Sequence, residues 1–105
     1  MDGISVVIPT LNRESFLTNT IEYLARQVFD KPYEIIIVDQ SPKPNQKFED
    51  LGNEVHYHHV TMFKGLPEAR NYGAQCARYD YILYLDDDIE CNENLLAEHY
   101  KYISQ

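Results

Sequence analysis

The amino-acid sequence predicts an α/β fold in which a mostly parallel, doubly wound sheet lies between two layers of helices. Two observations support this prediction. Short, largely apolar runs of strand length alternate with longer runs whose apolar residues recur at helical spacing. Such regular alternation is typical of three-layer parallel sheets with right-handed crossovers. The predicted strands are Ile4–Ile8, Tyr33–Asp39, Val55–Val60 and Tyr79–Leu85.

The first strand, Ile4–Ile8, is apolar on both faces, as expected for a central parallel strand. We expect Pro9 and Thr10 to end it, because proline cannot donate a hydrogen bond to a strand ladder. Asn12 is a suitable cap for the following helix, which the apolar spacing predicts over Glu14–Gln27.

The second strand, Tyr33–Asp39, is again apolar without alternation and ends in a carboxylate. A short helix is predicted over Asn45–Leu51, with Gly52 as its stop. The third strand, Val55–Val60, is more polar, which favours an edge position. His56 and His58 share one of its faces and could ligate a metal, but no acid or cysteine stands near them in sequence. We therefore expect surface histidines and assign them no role.

The next helix is predicted over Gly65–Ala77, and Pro67 suits its first turn. Gly73 lies among small residues at four-residue spacing, so this helix is expected to pack closely on the sheet. A glycine there costs about 1 kcal/mol of helix propensity relative to alanine. Arg70 lies near the helix start, and hence near the carboxyl edge of the sheet.

Three consecutive aspartates, Asp86, Asp87 and Asp88, follow the strand Tyr79–Leu85. Like charges at this spacing repel one another unless a cation lies between them, and hard cations prefer carboxylate oxygens. In open α/β sheets, ligands bind just beyond the carboxyl ends of the strands. This position favours a divalent metal site over a solvated acidic turn.

The last helix is predicted from Glu93 onward, with Asn92 as its cap. No glycine, proline or other stop signal precedes Gln105. We therefore expect the natural protein to continue beyond this residue.

Seventeen acidic against nine basic residues give a formal net charge of −8. This balance argues against nucleic acid and anionic membrane surfaces as partners, because no basic stripe is present to neutralise phosphates. The sequence contains no apolar stretch of membrane length and no signal peptide. Cys76 and Cys91 do not form a disulfide framework, so a reducing cytoplasmic location is expected.

In the doubly wound arrangement the strand order is 3-2-1-4, and the switch point lies between the first and fourth strands. The signals at Pro9, Thr10, Asp39, Arg70 and the aspartate run are then expected to meet in one crevice. A crevice with these groups is a candidate site for a metal-bridged nucleotide.

These segments together resemble the family 2 glycosyltransferases, which have the GT-A fold and mostly use nucleotide-diphosphate sugars. The resemblance covers essentially the whole sequence. The motifs that carry it are Ile4–Arg13, Glu34–Asp39, Gly65–Gly73 and Leu85–Asp88, in this order.

The resemblance implies that residues 1–105 form the N-terminal, donor-binding part of a glycosyltransferase, with the acceptor half and the general base beyond Gln105. It also implies that Pro9, Thr10, Asp39 and Arg70 line the nucleobase pocket, and that Asp86 and Asp88 form a DxD pair with Asp87 between them. The family often has a second acid where this sequence has Gln40.

A DxD pair also has a direct chemical rationale, because Mg²⁺ or Mn²⁺ stabilises the diphosphate leaving group. Asp88, the acid furthest from the strand, is the best candidate for direct ligation, and Asp86 is expected to reach the ribose or a metal-bound water. Asp39 could accept a hydrogen bond from the N3–H of uracil, which favours a UDP-sugar as donor, with a guanine nucleotide as the weaker alternative because guanine also offers N–H donors. Alternatively, it caps the loop through backbone N–H groups.

The sugar and the acceptor, a glycan or a lipid-linked glycan, stay open. A calcium loop is excluded, because Cys91 and Ala97 stand where the required glycine and glutamate would be. The alternative function is a non-catalytic nucleotide-binding or interaction module on the same fold.

Overall fold

The computed structural model describes residues 1–52 and 54–103, which form four strands, three α-helices and one 3₁₀ turn. In chain order these elements are β1 (Ile4–Thr10), α1 (Glu14–Ala25), β2 (Tyr33–Asp39), the 3₁₀ turn Gln46–Phe48, β3 (Val55–His59), α2 (Leu66–Cys76), β4 (Tyr81–Tyr84) and α3 (Leu95–Ile103).

The four strands form one parallel sheet in the order β3-β2-β1-β4, which confirms the predicted topology. The register of β1 on β2 runs from Ile4 opposite Tyr33 to Thr10 opposite Asp39. Because all four strands are parallel, their carboxyl ends lie at one edge of the sheet. The strand order reverses between β1 and β4, which is the switch point.

Each face of the sheet carries its own apolar cluster, which confirms the three-layer architecture. On one face, Leu17 of α1 and Leu96 of α3 belong to the cluster that contains Val6 of the sheet. On the other face, Ala69 of α2 belongs to the cluster that contains Val7. The adjacent residues Val6 and Val7 are both fully buried, which explains the lack of alternation in β1.

Helix α2 packs as closely on the sheet as its small residues predict. A Cβ added to Gly73 would overlap Cγ1 of Val7 on β1. The glycine therefore allows the helix backbone to approach the strand, which offsets its low helix propensity.

Strand β1 continues through Pro9 to Thr10, whereas the sequence analysis ended it at Ile8. The carbonyl of Val7 accepts a hydrogen bond from the Leu85 N–H, so Val7 and Pro9 direct their backbone polar groups toward the β4 side. Since β4 ends at Tyr84, the missing N–H of Pro9 leaves no ladder bond unmade.

Asn12 does not cap α1, which corrects the sequence analysis. It has a φ of 55°, in the left-handed region that asparagine tolerates, and its N–H donates to the Ser41 hydroxyl at 2.8 Å. Arg13 is the N-cap and provides no side-chain capping bond. Asn12 instead turns the chain toward the loop after β2.

The run of large apolar and aromatic residues in Tyr79–Leu85 predicts a buried strand, but β4 is only partly buried, because it lies at an edge of the described sheet. It spans only Tyr81–Tyr84, and Tyr84 is 42% exposed.

The predicted helix Asn45–Leu51 is shorter in the structure, where only the 3₁₀ turn Gln46–Phe48 forms and the Asn45 side chain accepts from the Lys47 N–H. Helix α3 begins at Leu95, two residues after the predicted start at Glu93, and residues 104 and 105 lie outside the described part of the chain.

Candidate functional site

A cavity of about 580 Å³ lies at the carboxyl edge of the sheet, where β1 and β2 end. Its walls come from Thr10 at the end of β1, Asp39 at the end of β2, the start of α1 and the loop 41–48. The connections after parallel strands leave at the same edge, so residues 29 positions apart in sequence face one space. This is the position that the fold predicts for a ligand.

Asp39 is 4% exposed, and both of its carboxylate oxygens are hydrogen-bonded. Oδ1 accepts from the Ser41 N–H at 2.9 Å, and Oδ2 accepts from the Tyr57 hydroxyl at 2.5 Å. Asp39 thus makes the loop-capping bond that the sequence analysis held as an alternative, and it also lines the cavity. Each carboxylate oxygen can accept a second hydrogen bond, so neither is exhausted.

The three consecutive aspartates differ sharply in exposure. Asp86 and Asp88 are exposed, whereas Asp87 is 7% exposed. Oδ2 of Asp87 accepts from the Thr10 hydroxyl at 2.8 Å, and its backbone carbonyl accepts from the Thr20 hydroxyl at 2.8 Å. Asp87 therefore joins the acidic turn to β1 and α1, and the outer two carboxylates face away from the core.

Arg13 is a residue of this site to which the sequence analysis gave no role. Its Nε donates to Oδ1 of Asp87 at 2.9 Å, and an Nη donates to Oδ2 of Asp88 at 3.1 Å. The guanidinium lies over the Phe16 ring, 4.4 Å from its centroid. Three consecutive acids favour a nearby cation. The position of Arg13 directly after β1, at the same edge of the sheet, was the feature of the sequence that could have identified it as their partner.

Arg70 and Pro9 do not line the cavity, although the sequence analysis placed them in the same crevice. The Arg70 guanidinium lies 5.7 Å from the ring centroid of Tyr84 on β4. Its buried Nε has no hydrogen-bond partner among the described residues. The structure thus brings Thr10, Asp39 and Asp87 together and leaves Arg70 beside β4.

The chemistry of the donor set fits a hard divalent cation that a ligand helps to hold. Among the described residues, no group of three or more His, Cys, Asp or Glu side chains is arranged to hold a metal ion. Asp86 and Asp88 nevertheless present two exposed carboxylates. Mg²⁺ typically takes one or two carboxylates and completes its coordination with phosphate oxygens and water.

Of the three histidines of β3, the two that share a face, His56 and His58, each lie close to a polar side chain. Nε2 of His56 lies 3.2 Å from Oε1 of Glu34, and Nδ1 of His58 lies 3.3 Å from the Tyr72 hydroxyl. Burial, followed by the proximity of His56, lowers the pKa of His58.

No helix in the described ranges 1–52 and 54–103 is both long and apolar enough to cross a membrane.

A four-stranded parallel sheet with this order, and with acids at its carboxyl edge, defines the class as a doubly wound α/β protein. Two solved structures share the fold. Staphylococcus aureus TarS residues 1–349 in complex with UDP has a TM-score of 0.80 and 26% identity, over 99% of this chain and 32% of that one. A Pyrobaculum calidifontis mannosyltransferase in complex with GDP-Man and Mn²⁺ has a TM-score of 0.79 and 18% identity, over 100% of this chain and 33% of that one.

The chain belongs to glycosyl transferase family 2, whose family model matches residues 5–105. It is also similar to a chondroitin synthase of Escherichia coli, with 35% identity over 97 residues that cover 88% of this chain. The chain spans 14% of that relative's length. These findings confirm the family and the fold predicted from the sequence.

Proposed function

We propose that this chain is the donor-binding part of a glycosyltransferase, which binds a nucleotide-diphosphate sugar, with UDP favoured, at the carboxyl edge of the sheet. The observation that carries this proposal is the cavity bordered by Asp39 and lined by Arg13, whose guanidinium donates to the buried Asp87 and the exposed Asp88. Nucleotides bind at this edge in open α/β sheets. The complex of the similar S. aureus TarS with UDP supports the choice of base.

In this proposal the two exposed acids hold Mn²⁺ or Mg²⁺, with Asp88 as the direct ligand and Asp86 at the ribose or a metal-bound water. The cation would neutralise the charge that builds on the departing diphosphate. Asp87 keeps the acidic turn in place through its bonds to Thr10 and Arg13. The protein supplies two carboxylates, and the nucleotide supplies the phosphate oxygens.

We further propose that Asp39 selects the base. Its free acceptor capacity suits the N3–H of uracil, which cytosine lacks at neutral pH. A lost hydrogen bond to a charged group costs on the order of 1.5–3 kcal/mol, or roughly ten- to a hundredfold in affinity. Pro9 and Thr10 would border the nucleobase, and Arg70 would donate to a uracil carbonyl after its side chain moves from Tyr84.

The sugar and the acceptor stay open in the proposal, and no residue of this chain is assigned as general base. The acceptor would be a glycan or a lipid-linked glycan. We also propose a cytoplasmic location, which the free thiols of Cys76 and Cys91 support.

Calorimetric titration with UDP, in the presence of Mn²⁺ and again with a chelator, tests the metal bridge. We expect binding with Mn²⁺ and at least a tenfold loss without it, since an acidic site otherwise repels a diphosphate. Asp88→Asn should weaken binding similarly, and Asp30→Asn, an exposed acid outside the site, is the matched control. Equal UDP affinity with and without metal would refute the bridge.

A further inference from the structure

Tyr57 of β3 joins two walls of the cavity, although it does not line the cavity itself. Its hydroxyl donates to Oδ2 of Asp39 at 2.5 Å and accepts from the Asn45 N–H at 2.9 Å. Its ring packs near Phe48, a lining residue, with the ring centroids 6.1 Å apart. One side chain therefore contacts both the acid at the end of β2 and the loop 41–48.

The orientation of the Asp39 carboxylate depends on this contact. The Ser41 N–H holds Oδ1, and the Tyr57 hydroxyl holds Oδ2. With both oxygens held, the plane of the carboxylate is defined, and each oxygen keeps acceptor capacity for a ligand. With Oδ2 released, the carboxylate could turn about its Cβ–Cγ bond.

The hydroxyl of Tyr57 is a lasting donor at physiological pH. Burial and the hydrogen bond to Asp39 raise the pKa of Tyr57 to about 12. The phenol therefore stays protonated and keeps Asp39 an acceptor. No Lys or Arg side chain in the described ranges forms an ion pair with Asp39.

We propose that Tyr57 is a positioning residue for base recognition: it fixes the Asp39 carboxylate and the loop 41–48 so that Asp39 meets the N3–H of uracil. This inference rests on the proposed function and deepens it. Tyr57 does not touch the nucleotide and acts through Asp39.

The test compares Tyr57→Phe with Tyr33→Phe. Tyr33 is half-buried at the other end of the sheet, and its hydroxyl donates to the Leu24 carbonyl at 2.8 Å. Both variants thus remove one hydroxyl that makes a hydrogen bond, and only Tyr57 adjoins the cavity. UDP and CDP affinities are measured by calorimetry with Mn²⁺ present.

We expect Tyr57→Phe to lower the UDP-to-CDP affinity ratio about tenfold, the equivalent of one charge-assisted hydrogen bond. Tyr33→Phe should leave this ratio unchanged. The ratio is a sharp readout, because partial unfolding lowers the apparent affinity for both nucleotides by the same factor. A purely structural role of Tyr57 would therefore not move it.

A double-mutant cycle with Asp39→Asn identifies the route of the effect. If Tyr57 acts through Asp39, Tyr57→Phe should change the ratio less than twofold once Asp39 is already Asn. Equal effects in both backgrounds would overturn the inference, as would an unchanged ratio in Tyr57→Phe alone. If the wild-type protein binds no UDP, the proposed function fails instead, so the two failures are distinguishable.

Discussion

Strand β2 carries a buried acid near each end, and the two differ in the partners that surround them. Glu34, at the amino end, is 1% exposed and accepts from the Ser5 hydroxyl at 2.7 Å, the Arg78 N–H at 2.7 Å and Arg78 Nε at 3.0 Å. Asp39, at the carboxyl end, is 4% exposed and accepts from the Ser41 N–H and the Tyr57 hydroxyl, and it forms no ion pair with any other described residue.

This difference assigns the two acids of β2 to different roles: Glu34 stabilises the fold, and Asp39 is available for ligand recognition. At Glu34 a cation and several donors satisfy the carboxylate, and they connect β1, β2 and the segment after α2. At Asp39 the donors are neutral, and the adjoining cavity of about 580 Å³ is larger than the cavity of about 260 Å³ that Glu34 lines. A buried acid with its own cation stabilises the fold, whereas a buried acid without one, beside a cavity, is available to a ligand.

The largest effect is expected for Glu34→Gln. The amide loses the charge that Arg78 pairs with and directs an NH₂ group at other donors, which should reduce the free energy of unfolding by about 2–3 kcal/mol. Urea denaturation measures the loss. Glu93→Gln, at an exposed glutamate, is the control and should stay within about 0.5 kcal/mol of wild type. Equal losses in both variants would remove the structural half of the comparison.

Asp39→Asn should change nucleotide affinity more than it changes the free energy of unfolding. We expect roughly a ten- to a hundredfold fall in the UDP-to-CDP affinity ratio, because the uracil N3–H loses a charged acceptor. The cost in unfolding free energy should be smaller, about 1.5 kcal/mol, since the asparagine oxygen can still accept from the Ser41 N–H and only the bond from the Tyr57 hydroxyl is lost. Competition binding and urea denaturation on the same samples measure both quantities. An unchanged ratio would make Asp39 only a loop cap.

Within the aspartate run, we likewise expect one acid, Asp87, to stabilise the fold and another, Asp88, to serve ligand binding. Asp87→Asn weakens the bonds to Thr10 and Arg13 and should cost about 1–2 kcal/mol of stability. Asp88→Asn breaks only an exposed ion pair, which contributes at most about 1 kcal/mol. The main effect of Asp88→Asn should be a lower Mn²⁺ affinity in the presence of UDP, which electron paramagnetic resonance measures. The comparison is wrong here if Asp88→Asn destabilises the fold more than Asp87→Asn.

The smallest effect is expected from pH. Burial raises the pKa of Glu34, but hydrogen bonds from the Arg78 N–H, the Ser5 hydroxyl and the Arg78 guanidinium outweigh it, so the pKa lies below its usual value. A lowered pKa in the folded state stabilises the protein above the unfolded pKa, about 4.3, and this contribution is lost as the pH falls further.

Urea midpoints measured between neutral pH and pH 3 therefore test the Glu34 contribution. The stability of the wild type should decline as the pH falls through about 4.3, and that of Glu34→Gln should decline less steeply. Identical slopes for the two proteins would show that Glu34 is not responsible for the decline.

The local pattern of the sequence was sufficient to predict the fold. Apolar runs without alternation identified the strands, their alternation with helices implied the strand order β3-β2-β1-β4, and the small residues around Gly73 predicted the close helix. These features depend on neighbours within a few turns or on the few topologies that parallel sheets allow. Asp39 and the aspartate run were found because Asp39 ends a strand and the aspartate run comes just after one.

Only the tertiary structure decided how the acids are divided between the fold and the site. Thr10 and Asp87 are hydrogen-bonded although they are 77 residues apart in sequence, and Arg13 and Asp87 are 74 residues apart. The Asp39 carboxylate at the end of β2 accepts from the Tyr57 hydroxyl of β3. No local periodicity encodes such contacts, because they form only when crossovers bring strand ends to the same edge. The sequence determined which acids reach that edge, and the packing of β1, α1 and β3 determined which of them are bound by the protein.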